Sequence, residues 1–324
     1  MNEFGLATWA HNILDFGQTP DEMRIHLDRL AENGFNILIP CIKNMPGAVD
    51  FRTDLADMTD VCRKWDPFGM LVEESIKRGM QVHAWLINFS ENATSRFRRE
   101  HPDTISTIDD PYGHDWLCAC RENVRDYVFS LYEDLAKTYH PAGLHLDYIR
   151  TGGWCTCEIC TRAMAERGIN IVGVTPDDRE AVPWATWKSD QVTDYVRRMH
   201  EMAEMHGIAL SAAIIGDYPH FMNEQGQDWE RWVSEGILDM VFGMNYNNSA
   251  RLVDLHTTAH LAHAGGRVPV WEGLCKSAGK TQLSAAQLGE QVDICRARGA
   301  AGVSVFSYPA LSDEDMAVLK ATTS

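Results

Sequence analysis

Residues 143–150 read GLHLDYIR, and the prediction of the fold starts from this segment. Leu144, Leu146 and Ile149 mark a short buried strand, and Asp147 and Arg150 lie where that strand ends. A charged pair at the end of a buried strand needs a cleft to face, because an isolated buried charge is costly. The segment therefore predicts a strand whose carboxyl end contributes to a site.

Similar apolar segments recur along the chain and alternate with amphipathic helical segments. Strict alternation of this kind predicts a parallel sheet, and eight repeats in 324 residues fit a closed (β/α)8 TIM barrel of the α/β class. An open doubly wound sheet is the structural rival, but no GxGxxG motif follows the first strand. The predicted strands are residues 4–9, 35–40, 81–89, 143–150, 208–215, 240–246, 268–274 and 301–308.

We predict a single barrel domain over residues 1–324, with elaborated loops at 90–121 and 151–189 after the third and fourth strands. The first of these loops is too long for an ordinary connection, so we expect it to cover the barrel mouth. Trp184 and Trp187 fall in the second loop, where exposed rings could form a wall on which a sugar stacks.

The composition excludes several classes of partner. The net charge of −17 repels phosphate backbones and anionic lipids, so neither nucleic acid nor membrane is an expected partner. No apolar run approaches the ~20 residues that span a bilayer, and no signal peptide is visible. Nine cysteines, an odd number, argue for a reducing compartment, so we expect a cytoplasmic protein. A homo-oligomer is compatible with these features.

The predicted strand ends carry aromatic rings, amides and carboxylates around one mouth, where barrels of this class place their chemistry. Rings stack on pyranose faces and polar groups hold hydroxyls, so the set suits a sugar. Glycoside hydrolysis commonly uses two carboxyl groups beside the scissile bond. Asp147 and Glu272 are the leading pair, and Asp217 is the alternative partner for Asp147. The candidate substrate-binding residues are Trp9, Trp85, Asn88, His145, Arg150, Asn245, Tyr246, Trp271 and Tyr308.

A CxCxxC motif at residues 155–160 supplies three thiolates, and tetrahedral zinc requires a fourth ligand. Cys118 or Cys120 in the preceding long loop could complete a four-cysteine site, and His114 is a weaker candidate. We expect the site to be closed and structural, holding the two long loops together, and we expect no organic cofactor. The three thiols of the motif are Cys155, Cys157 and Cys160.

Four stretches resemble the glycosyl-hydrolase-like barrels related to bacterial family ten glycosylhydrolases. The first runs from Trp65-Asp66-Pro67 to His83-Ala84-Trp85, and the others are residues 143–150, 232–246 and 302–308. The resemblance implies a TIM barrel that acts on glycosides, with Asp147 in the acidic position of the fourth strand.

The cysteine segment is similar to the zinc-binding element of family forty-two beta-galactosidases, where CxCxxC follows the fourth-strand acid/base. Cys118 best matches the earlier cysteine of that element. That family carries Asn-Glu at the fourth strand, whereas this chain has Leu146-Asp147, so the roles do not transfer directly. Asp147 could be the acid/base with Glu272 as nucleophile. It could equally be the nucleophile with Asp217 as acid, as in the alpha-galactosidase-like barrels that this chain also resembles.

The leading hypothesis is therefore a zinc-stabilised barrel glycosidase that hydrolyses a glycoside or an oligosaccharide. Two alternatives remain open. One is a barrel that binds a carbohydrate without cleaving it, and the other is a barrel lyase or isomerase that acts on a sugar derivative.

Overall fold

The chain forms a closed barrel of eight parallel strands, which confirms the predicted fold class. The structure, a computed structural model, describes residues 4–323 except 109, 111–112, 176–177 and 217–219. Strands that follow one another in the chain are neighbours in the ring, and the last pairs with the first. The strands are β1 (Gly5–Ala10), β2 (Ile37–Lys43), β3 (Gln81–Ile87), β4 (Gly143–Asp147), β5 (Ala209–Ile214), β6 (Met240–Met244), β7 (Val270–Cys275) and β8 (Gly302–Phe306).

Helices connect the strands, as parallel pairing requires. Short 3-10 helices at Ile13–Phe16, Pro102–Thr104 and Tyr308–Ala310 add to them. Within the described part of the chain the α-helices are α1 (Pro20–Glu32), α2 (Asp60–Lys64), α3 (Pro67–Lys77), α4 (Arg96–Glu100), α5 (Glu122–Tyr139), α6 (Glu158–Ala165), α7 (Ala181–His206), α8 (His220–Gln225), α9 (Trp229–Ser234), α10 (Ala250–Ala264), α11 (Ala285–Arg298) and α12 (Asp313–Thr323).

Two of the helix starts show why the sequence signals were readable. The side chain of Thr19 accepts the Glu22 N–H at the start of α1, and Asp66 accepts the Gly69 N–H at the start of α3. A proline follows each cap, where its fixed φ and missing N–H suit the first helical turn. These local signals therefore mark the residues at which the two helices begin.

The prediction of a loop up to residue 189 is wrong, because α7 already begins at Ala181. Pro183 lies in the first turn of this helix, where a proline is tolerated. Trp184 and Trp187 lie on the helix and are buried against the cysteine loop. They therefore do not form an exposed wall for a sugar.

Alternate residues of each strand face the barrel interior or the surrounding helices. The interior is packed with large rings, and those of Phe242 and Trp271 stack with their centroids 5.6 Å apart. Trp271 lies at the amino end of the barrel, where Gly5 and Gly302 leave space for it: a Cβ on either glycine would lie 2.1 or 2.5 Å from the indole. That end of the barrel is closed by packing.

The two loops after β3 and β4 lie against each other. The hydroxyl of Thr107 lies 3.0 Å from that of Thr156, and the indole of Trp116 packs onto Gly152 so closely that a Cβ there would clash. The ammonium of Lys188 on α7 donates to the Gly153 carbonyl at 3.2 Å. None of the described helices combines the length and apolar character that crossing a membrane requires.

Candidate active site

A cavity of about 320 Å³ opens at the carboxyl ends of the strands. Its residues come from the ends of β1, β2, β3, β4, β6 and β8, so the barrel itself positions them. Such volumes lie at the lower end of the range for small-molecule sites, roughly 300–1,000 Å³. The lining residues are His11, Cys41, Asn44, Met45, Trp85, Ile87, Asp147, Tyr148, Arg150, Met244, Tyr246 and Phe306.

Asp147 is the one carboxylate among the described residues that line this cavity. Its side chain is 10% exposed, and its Oδ1 accepts the Tyr148 N–H at 2.6 Å. Burial raises the pKa of Asp147, and the nearby Arg150 guanidinium, with Nη1 at 3.6 Å from Oδ1, opposes that rise. A carboxyl group in this setting retains its proton to higher pH than an exposed aspartate does.

The Arg150 guanidinium is held by two aromatic rings beside the cavity. It lies 4.7 Å from the Tyr148 ring centroid and 5.5 Å from that of Trp116. Tyr148 itself has a φ of 51°, in the left-handed region that residues other than glycine seldom adopt. Strained backbone of this kind is found most often at functional sites, and here it lies directly after Asp147.

His11 follows β1 and reaches the same cavity from a different side of the ring. Its ring centroid lies 4.5 Å from that of Phe306 and 6.0 Å from that of Trp85. His11 is exposed at the cavity mouth, and the partial desolvation that it meets there lowers its pKa, while the carboxylates of Asp15 and Asp147 act in the opposite direction. The site therefore contains an imidazole in addition to the acid.

Aromatic side chains form much of the cavity wall. Tyr246 and Phe306 stack with their centroids 5.2 Å apart, and Trp85 contributes a third ring. Flat apolar faces beside a few polar groups are the usual composition of a pocket for a small organic ligand. Trp85, Arg150 and Tyr246, predicted as substrate-binding residues, do lie at the cavity.

Glu272 is not at the barrel mouth, so the predicted geometry of an Asp147–Glu272 pair is wrong. Its side chain is fully buried on the outer face of β7, between the barrel and α10. His260 donates from Nδ1 to Oε1 at 2.9 Å, and Asn245 donates to Oε2 at 3.1 Å. Trp271, the preceding residue, faces inward, and alternation turns Glu272 outward.

Trp9 and His145 lie in the packed barrel interior and do not line the cavity. The Trp9 indole donates to Nε2 of His145 at 3.1 Å, so the ring must carry its proton on Nδ1, which faces the Ser211 hydroxyl at 3.0 Å. Burial holds the pKa of His145 well below its usual value. His145 is a neutral, hydrogen-bonded residue of the barrel core.

Four other candidates also lie away from the cavity. Asn88 is buried and donates to the backbone carbonyl of Asp147 at 2.7 Å, so it fixes the end of β4 instead of touching a ligand. Asn245 is buried beside Glu272, and Trp271 closes the opposite end of the barrel. Tyr308 is buried, with its hydroxyl 2.6 Å from Nδ1 of His26.

Asp217 lies outside the described residues, so its predicted role as partner of Asp147 stays a prediction. The sequence places His11 at the end of the first strand, although it was not among the predicted site residues. Sequence reasoning missed the contributions of Cys41 and Tyr148 to the cavity. Cys41 had a usable signal, because it continues the alternation of inward-facing Ile37 and Ile39 along β2.

The cysteine cluster has the predicted composition. The sulfurs of Cys118, Cys155, Cys157 and Cys160 all lie within 4.8 Å of one another, and all four residues are buried. Sγ of Cys118 is 3.6 Å from that of Cys157 and 3.7 Å from that of Cys160, and Cys157 is 3.8 Å from Cys160. These separations are too long for disulfides, and the four thiols could hold a metal ion.

Cys118, rather than Cys120, is the fourth member of this cluster. Cys120 is buried beside it, and α7 covers the cluster with its two tryptophans. The Lys188 ammonium lies 3.6 Å from the Trp154 ring centroid and donates to the carbonyl of Glu224. The cluster therefore lies where the loops after β3 and β4 meet α7, beside the residues that follow Asp147.

One family profile matches most of the sequence. The sequence profile of the family described as "Glycosyl hydrolase-like 10" matches residues 7–264. None of the curated proteins matches the chain in sequence. The predicted resemblance to glycosyl-hydrolase-like barrels is thereby confirmed.

Solved structures with the same fold come from glycoside hydrolases. The PgaB (BpsB) glycoside hydrolase domain from Bordetella bronchiseptica matches with a TM-score of 0.75 and 15% identity, covering 97% of this chain and 95% of that one. The beta-amylase catalytic domain from Paenibacillus polymyxa matches with a TM-score of 0.66 and 12% identity, covering 97% of this chain and 95% of that one. The alpha-galactosidase TtGalA from Thermus thermophilus matches with a TM-score of 0.61 and 15% identity, covering 100% of this chain and 62% of that one. At these identities the likeness establishes a shared fold.

Proposed function

The chain belongs to the glycosyl hydrolase-like 10 family, and on that premise we propose that it hydrolyses O-glycosidic bonds with Asp147 as the proton donor. The observation that carries this proposal is a single buried carboxyl group, with its pKa raised by burial, facing a cavity walled by aromatic rings. A general acid must hold its proton at the working pH, and burial is how proteins achieve that for a carboxyl group.

The surroundings of Asp147 also suit the state that follows proton transfer. Once the proton moves to the glycosidic oxygen, the carboxylate keeps the Tyr148 N–H at 2.6 Å and gains attraction to Arg150. Asn88 holds the backbone of the same residue from behind, so the carboxyl group has a fixed direction. Preorganised groups of this kind stabilise a developing charge without reorganisation.

The proposed substrate is a glycoside or oligosaccharide with a single sugar ring inside the cavity. Trp85, Tyr246 and Phe306 offer apolar faces for a pyranose ring, and Asn44 and Arg150 offer donors for its hydroxyl groups. The cavity volume of about 320 Å³ favours one ring over an extended chain. Asp217, which follows β5 in the sequence, remains a candidate second acid.

We further propose that the cysteine cluster binds zinc in a closed, structural site with four cysteine ligands. Four sulfurs at about 2.3 Å from a tetrahedral zinc ion lie about 3.8 Å apart. The Sγ–Sγ separations of 3.6, 3.7 and 3.8 Å among Cys118, Cys157 and Cys160 agree with that geometry. Such an ion would join the loops after β3 and β4, and the nine unpaired thiols of the chain favour a reducing compartment such as the cytoplasm.

The test is turnover of a panel of p-nitrophenyl glycosides and short oligosaccharides by the wild-type protein and by Asp147→Asn. We expect hydrolysis of at least one glycoside, and a fall in kcat of about 10²–10⁴-fold in the variant, because Asn cannot donate the proton. For an aryl glycoside with a better leaving group, the fall in kcat caused by the substitution should be smaller. Sugar binding without hydrolysis by the wild-type protein would instead support a non-catalytic carbohydrate-binding barrel, and unchanged turnover by the variant would refute the role of Asp147.

A further inference from the structure

We infer that His11 is the second proton-transfer group of this site and takes the proton of the attacking water while Asp147 protonates the leaving oxygen. The inference rests on the proposed function and extends it. It assigns a catalytic role to an imidazole, whereas glycoside hydrolysis usually pairs the acid with a second carboxyl group.

The position of His11 in the barrel suits the role. In the closed ring β2 and β3 lie between β1 and β4, so His11 and Asp147 approach the cavity from nearly opposite sides. A substrate in the cavity would therefore have the acid on one side and the imidazole on the other. That is the arrangement in which a water molecule can attack one face of a sugar while the leaving group departs from the other.

The other described residues of the cavity offer no competing base. Burial raises the pKa of Cys41 far above neutrality and that of Tyr148 to about 12. Tyr246 also has its pKa raised by burial, and a guanidinium such as that of Arg150 cannot accept a proton in proteins. Among the described lining residues other than Asp147, His11 is the one group that can be an unprotonated base near neutral pH.

Neighbouring residues orient the His11 ring and support its charged form. Phe306 packs edge-on to the ring with centroids 4.5 Å apart, and Trp85 lies 6.0 Å away. Asp15, in the 3-10 helix after β1, accepts the Asn12 N–H at 3.1 Å and places a carboxylate where it raises the pKa of His11. This carboxylate is a positioning residue that would stabilise the imidazolium formed when His11 accepts a proton.

Desolvation shifts the pKa values of both groups in the direction that the reaction needs, against the charges that face them. His11 faces Asp15 and Asp147, and burial lowers its pKa despite both, so the imidazole starts neutral. Asp147 faces Arg150 and His11, and burial raises its pKa despite both, so the carboxyl group keeps its proton to higher pH than an exposed aspartate does. The two shifts have the directions that a protonated acid beside an unprotonated base requires.

The reaction balances as a single displacement. The bond between the anomeric carbon and the glycosidic oxygen breaks, and the proton of Asp147 goes to that oxygen. The oxygen of the water bonds to the anomeric carbon, and one of its protons goes to His11. The products are the released alcohol and the free sugar with inverted anomeric configuration, and exchange with solvent returns the proton from His11 to Asp147.

The experiment uses a p-nitrophenyl glycoside that the wild-type protein hydrolyses, with His11→Gln and with His26→Gln as the matched control outside the cavity. We expect His11→Gln to lower kcat about 10²–10⁴-fold and to remove the acidic limb of the kcat/KM profile, because that limb reports protonation of the base. Proton NMR of the first-formed sugar should show inversion. The control should stay within a few-fold of wild type.

A second measurement does not depend on turnover by the His11 variant. NMR titration should give a lower pKa for the His11 ring in Asp15→Asn than in wild type, since the substitution removes a nearby carboxylate. Retention of configuration, or a His11→Gln enzyme as active as wild type while Asp147→Asn is inactive, would overturn the inference and leave the proposed function standing. Absence of hydrolysis by the wild-type protein would refute both.

Discussion

Asp147 and Glu272 both come from barrel strands and both are buried, yet they differ in almost every physical respect. Asp147 opens onto a cavity and has one backbone donor at 2.6 Å and one guanidinium at 3.6 Å. Glu272 faces no cavity in the described structure and has two side-chain donors, His260 and Asn245. One acid is left partly unsatisfied beside space for a ligand, and the other is fully engaged in packing a helix onto the barrel.

The difference comes from which face of the strand each acid occupies. On β4, Leu144 and Leu146 pack against the helices, so Asp147 points to the axis. On β7, Val270 and Leu274 pack outward, and Glu272 shares their face. Successive residues of a strand point to opposite faces, so a strand-end acid reaches the mouth only in one of two phases. Position along the strand alone does not identify a catalytic residue.

The largest expected effect on stability comes from removing a cysteine of the cluster beside the loop that follows Asp147. Cys157→Ser removes one of the proposed zinc ligands beside the β4 loop, and structural zinc in peptides contributes on the order of 10–16 kcal/mol. We expect loss of bound zinc and faster hydrogen exchange in residues 151–165, with β7 and α10 unchanged. Cys62→Ser, a buried thiol outside the cluster, is the control. Equal loss of protection around Glu272 would contradict the view that the two acids are held independently.

The next largest effect is on stability at Glu272. Glu272→Ala leaves His260 and Asn245 without their buried acceptor, at a cost of about 1–3 kcal/mol for each unpaired group. Denaturant unfolding should show this loss, and the isosteric Glu272→Gln should lose less. The folded Gln variant should keep turnover within a few-fold of wild type. A large fall in its kcat with unchanged stability would place Glu272 in the chemistry after all.

Asp147→Asn is expected to change stability by a smaller amount than Glu272→Ala does, and in the opposite direction. Its folded pKa is raised, so the folded state keeps a proton that the unfolded chain loses, and stability falls as pH rises from about 4 through the folded pKa. Asp147→Asn removes that penalty and should be more stable than wild type at neutral pH, with the difference vanishing towards pH 3. Thermal unfolding across this range measures it. A less stable variant at pH 7 would mean that the ion pair with Arg150 outweighs burial.

The smallest effect is a shift in a pH profile. The Arg150 guanidinium lowers the pKa of Asp147, so Arg150→Met should raise that pKa further and move the basic limb of kcat/KM to higher pH. Arg198→Met, whose guanidinium pairs with Asp126 on the protein surface, is the matched control and should leave the profile unchanged. A basic limb that does not move would assign it to a group other than Asp147.

Much of the architecture was accessible from sequence because it depends on local rules. Helix caps and prolines, as at Thr19-Pro20 and Asp66-Pro67, fix where helices begin, and apolar runs between them fix the strands. The CxCxxC spacing brought three thiols together by covalent proximity alone. The strand count, the place of Asp147 at the end of β4 and the closeness of the three CxCxxC thiols follow from information within a few residues, whereas the choice of Cys118 over Cys120 does not.

The rest of the site depends on tertiary geometry that no single segment contains. Whether Glu272 faces inward depends on the phase of β7, and the apolar residues on both sides of it concealed that phase. α7 begins earlier than predicted because Trp184 and Trp187 bury against a distant loop. His11 faces the same cavity as Asp147 only because the two strands between them curve into a closed ring.

The indole of Trp271 packs between Gly5 and Gly302, and this packing determines how a ligand can reach the cavity. Trp271 closes the amino end of the barrel, and Trp9, His145 and Phe242 fill its axis. As far as the described residues show, the cavity above them therefore opens only at the carboxyl end of the barrel. Under the proposed function, a sugar substrate and its product would have to enter and leave through that same opening.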